Sequence, residues 1–271
     1  MNEVGELSGR VVLITGGARG LGREMALAAA REGAKICITG TAASGVFDQT
    51  ADEICALVGA DNLLMCVSDV TSKDDVDGLV AECIGRFGHI DVLVNNAGRG
   101  MRLVSERFNV EPTKFWQTEF DAWTRIVDTN INGPFLMTKA VVPRMLDAGF
   151  GKIINVSTSA QTMVRQGYSP YGPSKAFLEA SSRAWALELA GTGIDVNVLL
   201  PGGAADTDLL PPSPDKKGAD GNLLPADIMS KAFVWLASDM SNGVTGGRFI
   251  ARYWGNDEAF RNDTGQMPQI L

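Results

Sequence analysis

The sequence predicts an α/β fold: a parallel sheet, doubly wound, with helices on both faces. Three observations carry this. Short β-branched apolar runs alternate with helix-length amphipathic segments along the chain, the pattern of strands joined by right-handed crossovers. No linker, repeat or low-complexity stretch interrupts the series over 271 residues, a length that one large domain can enclose. A glycine-rich turn, Thr15 to Gly22, stands between the first apolar run and the first helical pattern.

Residues 10–15 read as a buried strand by their length and β-branching. In the helix that follows, Leu21, Met25 and Ala29 share one face, and the pattern ends near Gly33. Further strands are expected at 35–39, 62–67, 90–94, 152–156 and 195–200, with a last one at 247–253. Helices are expected at 49–57, 73–87, 121–148, 171–190 and 226–238. Ser169 reads as the N-cap of the helix at 171, with Pro170 at its first position, where a missing N–H costs nothing. Two long connections, 99–119 and 206–225, lie beyond the C-terminal ends of strands, where open α/β sheets bind ligands. Loops of that length in that place act as lids more often than as spacers. The whole chain, 1–271, is expected to be a single dinucleotide-binding and catalytic domain, with 254–271 as a C-terminal tail.

Composition narrows the function. With 24 basic and 32 acidic residues the formal charge is −8, and no basic cluster offers a surface for nucleic acid or an anionic membrane. No apolar run approaches the roughly 20 residues that span a bilayer, and the acidic N-terminal stretch does not read as a signal peptide. A cytoplasmic protein is expected. Cys37, Cys55, Cys66 and Cys83 lack any Cys-x-x-Cys spacing and read as reduced core thiols rather than a disulfide framework or metal site. His89 is the one histidine, so neither a Ser-His-Asp triad nor a multi-histidine metal site can form. Acid–base chemistry near neutral pH must come from a perturbed Tyr, Lys, Asp, Glu or Cys.

Two motifs carry chemistry. In the turn, Gly16, Gly20 and Gly22 give G-x-x-x-G-x-G with Arg19 and Leu21 between them. Glycines there let backbone approach a pyrophosphate whose charge faces a helix N-terminus, so a dinucleotide is expected. The end of the second strand, Thr39-Gly40-Thr41, has no carboxylate to hold a ribose 2′-hydroxyl. Arg19 could instead meet a 2′-phosphate. NADP is favoured over NAD. The second motif is Tyr171-x-x-x-Lys175, which a helix places on one face. Alone it also describes an ordinary surface pair. Bringing a tyrosine hydroxyl from pKa about 10 to near neutrality takes about 3–4 kcal/mol. An ammonium about 4 Å away supplies that much at an effective dielectric near 20.

Taken with Asn95-Asn96-Ala97-Gly98, Asn130 and Pro201-Gly202, these motifs occur in the order seen in short-chain dehydrogenases/reductases, and the chain resembles that family from about residue 8 to 250. The resemblance implies a Rossmann-type fold and a hydride transfer between a nicotinamide cofactor and a small-molecule secondary alcohol or ketone. It assigns Tyr171 to proton transfer and Lys175 to depressing the tyrosine pKa and holding the nicotinamide ribose. Asn130 would link Lys175 to solvent through water. The substrate-orienting hydroxyl falls at Thr158, where relatives commonly carry serine, with Ser157 and Ser159 as alternatives. Asp69, Val70, Asn96, Ala97 and Gly98 are assigned to the cofactor, as are Pro201, Gly202, Ala204 and Thr207. Thr207 stands where the usual threonine is displaced. Tyr168 is expected on the substrate side, and Tyr253 as a packing residue.

Pocket candidates are Ser159, Ala160, Met163, Val164, Tyr168, Gly203, Ala204, Leu209 and Leu210, with Phe115 and Trp116. Their apolar character favours an uncharged substrate, while Arg99, Arg102 and Arg165 leave a carboxylate open. The helices at 121–148 and 171–190 carry apolar residues on more than one face, and by analogy a homodimer or homotetramer is expected. The rival reading outside enzymology is a nucleotide-sensing regulatory protein on the same fold.

Overall fold

Seven strands form the centre of the computed structural model, which describes residues 5–213, 216–218 and 221–256. They are β1 (Val11–Ile14), β2 (Lys35–Gly40), β3 (Leu63–Val67), β4 (Val92–Asn95), β5 (Gly151–Val156), β6 (Ile194–Leu200) and β7 (Arg248–Ile250). All pair in parallel, in the order β3-β2-β1-β4-β5-β6-β7. The fold is the Rossmann-type α/β sheet expected. Helices cover both faces: α1 (Gly20–Arg31), α2 (Gly45–Val58), α3 (Lys73–Phe87), α4 (Phe120–Val127), α5 (Gly133–Ala148), α6 (Ala160–Met163), α7 (Tyr171–Glu188) and α8 (Ser230–Ala237).

The two-residue period of a strand explains why two cores form. Along β1, Val12 and Ile14 point into one cluster with Met25, Leu27, Phe233 and Phe249. Val11 and Leu13 point into the other, with Val80, Met137, Val141 and Val196. Cys37, Cys66 and Cys83 lie in this second core as free thiols. The neighbouring Cys66 and Cys83 thiols, together with burial, hold Cys37 well above the usual thiol pKa. Strand order reverses between β1 and β4, and the C-terminal ends of the two strands part there. That is the crevice in which open α/β sheets bind ligands.

Four local expectations are corrected. The helix expected at 121–148 is interrupted: α4 and α5 are joined by a π-helical turn, Asp128–Asn132. The widened turn carries Asn130, whose amide bonds groups outside the helix, and such turns gather at functional sites. Ser169 caps nothing. The Ser169–Pro170 peptide is cis and Pro170 itself takes the N-cap position. The first donors of α7 are met by backbone instead, Gly172 N–H by the Tyr168 carbonyl at 2.7 Å and Ser174 N–H by the Pro170 carbonyl at 3.0 Å. The last strand stops at Ile250, because Arg252 N–H bonds the Pro201 carbonyl at 3.1 Å and the chain turns into a 3₁₀ segment, Ala251–Tyr253. The unexpected α6 forms because Ser159 caps it, accepting from Thr162 N–H at 3.2 Å. Most of the tail expected at 254–271 lies outside the described residues. Among the described residues no helix is long and apolar enough to cross a membrane.

Beneath the sheet, at the edge away from the crevice, Lys152 of β5 is almost fully buried. Its ammonium donates to Asp195 of β6 at 3.2 Å and to Ser241 Oγ at 3.0 Å. Burial lowers its pKa while Asp195 opposes the fall. Losing one partner of such a pair strands the other charge without a counterion. Lys152→Met should therefore lower unfolding free energy by about 3 kcal/mol, read as a shift in the urea midpoint at unchanged slope.

Candidate active site

The floor of the crevice is stitched together by Thr15. Its Oγ1 donates to the Val94 carbonyl at 3.2 Å and accepts from Asn96 N–H at 3.1 Å and Ala97 N–H at 3.0 Å. Asn96 returns the contact, its Nδ2 donating to the Thr15 and Gly16 carbonyls at 2.9 and 3.0 Å. Gly16 and Gly20 hold φ of +63° and +55°, which side chains strain to reach. A Cβ at Gly22 would lie 2.4 Å from both Asn96 Nδ2 and the Gly16 oxygen. α1 then starts with no capping side chain and no acid in its first turn. Its leading N–H groups and its dipole are left to whatever anion enters the crevice. This cradle fits a pyrophosphate.

One cleft of about 1180 Å³ runs from this turn to the ends of β5, β6 and β7. Gly16, Arg19, Gly20 and Leu21 line it, with Thr39, Gly40 and Thr41 at the end of β2. Asp69 and Val70 follow, then Asn96, Ala97 and Gly98. Gly22 is not on the wall; its role is the close approach of Asn96. Two residues expected to greet a 2′-phosphate are already engaged. Thr39 is buried and its Oγ1 accepts from Gly16 N–H at 3.2 Å, so it braces the turn. Arg19 pairs across the cleft mouth with Asp208 at 3.1 Å. Asp69 Oδ1 accepts from Thr71 N–H and Thr71 Oγ1 at 2.9 and 2.8 Å, capping its own turn at the cleft edge. Arg99 also lines the wall. Burial and the nearby Arg125 lower its pKa, with Asp69 opposing and Arg19 adding to the fall.

At the centre stand Tyr171, Thr158, Lys175 and Asn130. Thr158 and Tyr171 line the cleft together, and the Thr158 side chain acts on the Tyr171 hydroxyl to lower its pKa. The other candidate hydroxyls are spent elsewhere, Ser157 on Glu179 at 2.6 Å and Ser159 on the cap of α6. Lys175 is buried, and its Nζ donates to the Val156 carbonyl at 2.8 Å. Asn130 is fully buried. Its Oδ1 accepts from Arg99 N–H at 2.9 Å, and its Nδ2 donates to the Arg99 carbonyl and to Ser174 Oγ, both at 3.0 Å. Gly98 leaves room beside it: a Cβ there would lie 3.5 Å from Asn130 Oδ1 and 3.8 Å from Lys175 Nζ.

The charge balance differs from the expectation. Desolvation pushes Tyr171 up to about 12, with Thr158 opposing. Lys175 is pushed down to about 8 by burial, with Glu179 opposing. A depressed tyrosine was expected from the lysine beside it. In the protein alone loss of water dominates both groups, and the ammonium turns to the Val156 carbonyl.

Of the residues expected on the substrate side, Ser159, Tyr168, Gly203, Ala204, Leu209 and Leu210 line the cleft, as do Pro201, Gly202 and Thr207. Tyr168 packs edge-on against Phe108 at 5.5 Å, and the Arg165 guanidinium lies 5.2 Å over its ring. The 206–210 segment folds down over the turn: the Thr207 methyl would lie 3.1 Å from a Cβ at Gly20, and Arg102 Nη1 holds the Asp208 carbonyl at 2.7 Å. Ala160, Met163, Val164, Phe115 and Trp116 do not line the cleft. The cap at Ser159 turns 160–163 into α6, with Met163 in the core and Val164 facing solvent; Phe115 and Trp116 lie in a 3₁₀ segment of the preceding loop and also face solvent. Tyr253, expected to pack, instead lines the cleft beside Arg252, whose Nη1 donates to the Gly202 carbonyl at 2.9 Å. The sequence reading missed Thr15 as a brace and Arg252 as wall. The Thr-Gly pairing at 15–16 was the signal for the first, and the second had none.

The model of the short chain dehydrogenase family matches residues 10–218. The chain belongs to that family. It is 34% identical to the (2S)-[(R)-hydroxy(phenyl)methyl]succinyl-CoA dehydrogenase subunit BbsD of Thauera aromatica, over 89% of this chain and 94% of that protein. Among solved structures it resembles a short-chain type dehydrogenase/reductase from Mycobacterium marinum (TM-score 0.79, 30% identity, 94% of this chain and 98% of the other). It also resembles the 3-ketoacyl-(acyl-carrier-protein) reductase from Brucella melitensis complexed with NADH (TM-score 0.76, 30% identity, 89% and 96%). Oxidoreductases of this family share the parallel sheet described above.

The crowding at Gly22 makes a direct test. Gly22→Ala should push Asn96 off the turn and weaken binding of NADPH and NADH alike by tenfold or more, on the order of 1.4 kcal/mol, measured by quenching of tryptophan fluorescence.

Proposed function

We propose that this oxidoreductase transfers a hydride between NADP, or NAD, and a secondary alcohol or its ketone, with Tyr171 as the acid–base group. The observation that carries the reading is that Thr158, Tyr171 and buried Lys175 line one cleft, which begins at an uncapped helix N-terminus. A bound nicotinamide cofactor would supply or accept the hydride. The chain's own groups do the rest. Thr158 and Tyr171 hydroxyls together grip the carbonyl oxygen, and Tyr171 gives it a proton as charge develops there. The Lys175 ammonium, one turn along α7 and on the same cleft wall, favours the tyrosinate that results. Asn130 holds the Arg99 backbone and Ser174 on either side, and so fixes where Lys175 leaves its helix. Asn130, Tyr171 and Lys175 together are what a turnover site requires and a nucleotide sensor does not.

NADP is favoured because Gly40 and Thr41 offer no carboxylate at the end of β2 and Arg19 stands opposite. The Arg19–Asp208 pair supports NAD as the second reading, and the Brucella relative was solved with NADH. Four free thiols suit a reducing compartment such as the cytoplasm. Phe135 and Leu146 on α5, and Phe177 and Leu187 on α7, face solvent, and a homodimer or homotetramer would cover them.

Tyr171→Phe should lower kcat for ketone reduction by about 10³-fold, within the range for general acids, while NADPH binding stays within about twofold. Unchanged turnover would overturn the mechanism. The pH dependence follows from the sign at Lys175. A lysine lowered to about 8 is charged below that pH and neutral above it, so reduction should fall as pH rises past about 8. Lys175→Met should remove that limb along with most of the activity.

A further inference from the structure

Behind the reactive side chains lies a buried ion pair to which the chemistry above gives no part. Glu179 stands one helical turn after Lys175 on α7, and both are buried. Arg248 reaches Glu179 from β7, its Nε lying 2.9 and 3.1 Å from the two carboxylate oxygens. Ser157 Oγ donates to the same carboxylate at 2.6 Å. The other edge of the guanidinium is turned toward the cleft: Nη2 donates to the Thr158 carbonyl at 3.0 Å. Two consecutive residues, Ser157 by its side chain and Thr158 by its backbone, are thus tied to one ion pair that joins α7 to β7.

Stability does not account for this arrangement. Two charges taken out of water pay a desolvation cost that their attraction repays only in part, and apolar residues of similar volume often serve a core as well or better. What the pair supplies is direction. A β-branched side chain is stiff at χ1, so once the Thr158 peptide is fixed its hydroxyl has little freedom. That hydroxyl shares the cleft wall with Tyr171 and acts on its hydroxyl. The planar guanidinium fork is the group that can hold a carboxylate and a carbonyl at once.

We propose that Glu179 and Arg248 are positioning residues, which hold the Thr158 peptide so that its hydroxyl faces Tyr171 and the substrate oxygen. The inference rests on the assignment of Thr158 and Tyr171 to the reaction. It requires neither Glu179 nor Arg248 to touch a substrate or cofactor.

Two variants separate positioning from folding. Arg248→Lys keeps a charge opposite Glu179, but a single ammonium cannot reproduce the fork. The double variant Glu179→Met/Arg248→Met removes both charges, which a core tolerates better than removing one. Both should fold, with melting temperatures near wild type and NADPH binding unchanged. For NADPH-dependent reduction of ethyl acetoacetate, kcat should fall on the order of tenfold to a hundredfold through misplacement of a reacting group, with KM within about threefold. A second readout needs no turnover. The chain has three tyrosines, so 3-fluorotyrosine labelling gives three ¹⁹F resonances, and Tyr171→Phe identifies that of Tyr171. Arg248→Lys should move the Tyr171 resonance and leave that of Tyr253 in place. An unmoved Tyr171 resonance, or wild-type kcat in the folded variants, would overturn the proposal. The two assignments fail separately: full turnover in Tyr171→Phe would remove the acid–base reading itself, whereas an inactive Tyr171→Phe beside a fully active Arg248→Lys removes only the role of the pair.

Discussion

A single fully buried amide governs the geometry of this site. Asn130 lies at the heart of the protein with no access to water, and a buried amide must find partners or cost about 1–3 kcal/mol for each group left bare. It finds three bonds in two segments: both backbone groups of Arg99, and the hydroxyl of Ser174. To aim the amide at all of them, the helix that carries it opens into a π turn. The π turn, the loop after β4 and the first turn of α7 are therefore one constraint. Lys175 follows Ser174 directly, and Gly98 precedes Arg99, so the constraint also sets the gap in which Lys175 lies.

Desolvation then decides the resting state of the site. Tyrosine and lysine are both driven toward their neutral forms, one pushed up to about 12 and the other down to about 8. The pair as it stands is poised to donate a proton from Tyr171 rather than to hold a tyrosinate. Charge that develops on a substrate oxygen near Thr158 meets a hydroxyl already oriented to it. Glu179 opposes the loss of the lysine proton, and Arg248 keeps that carboxylate from standing alone. The ionic groups behind the cleft and the reactive groups in it form a connected set.

Local signals in the sequence were legible where the chain answers to its own neighbours. α3 spans the expected residues because Ser72 caps it and Gly88 ends it in the left-handed region. The strand series follows from apolar runs and crossovers. Gly16, Arg19, Gly20 and Leu21 of the glycine turn, Asn96–Gly98, Thr158, Tyr171 and Lys175 fall on one cleft, because each stands at the C-terminal end of a strand or the start of a helix. What was not legible depends on distant partners. The π turn exists for Arg99 and Ser174, and nothing around 128–132 announces them. Thr39 turns inward for Gly16, and Arg19 outward for Asp208, 189 positions away. Glu179 and Arg248 are single charges in apolar segments, a faint signal that could have been read as a buried pair. Phe115 and Trp116 were assigned to the pocket by composition, whereas the loop carries them into solvent.

The measurement that tests the central claim most directly follows the hydrogen itself. NADPH carrying deuterium in place of both C4 hydrogens of the nicotinamide would be incubated with the protein and ethyl acetoacetate in ordinary water, and the product analysed by mass and NMR. The account predicts one deuterium on the carbinol carbon and none on the hydroxyl, whose proton comes from Tyr171 and exchanges with solvent. Reduction with no deuterium at that carbon would contradict hydride transfer in this cleft.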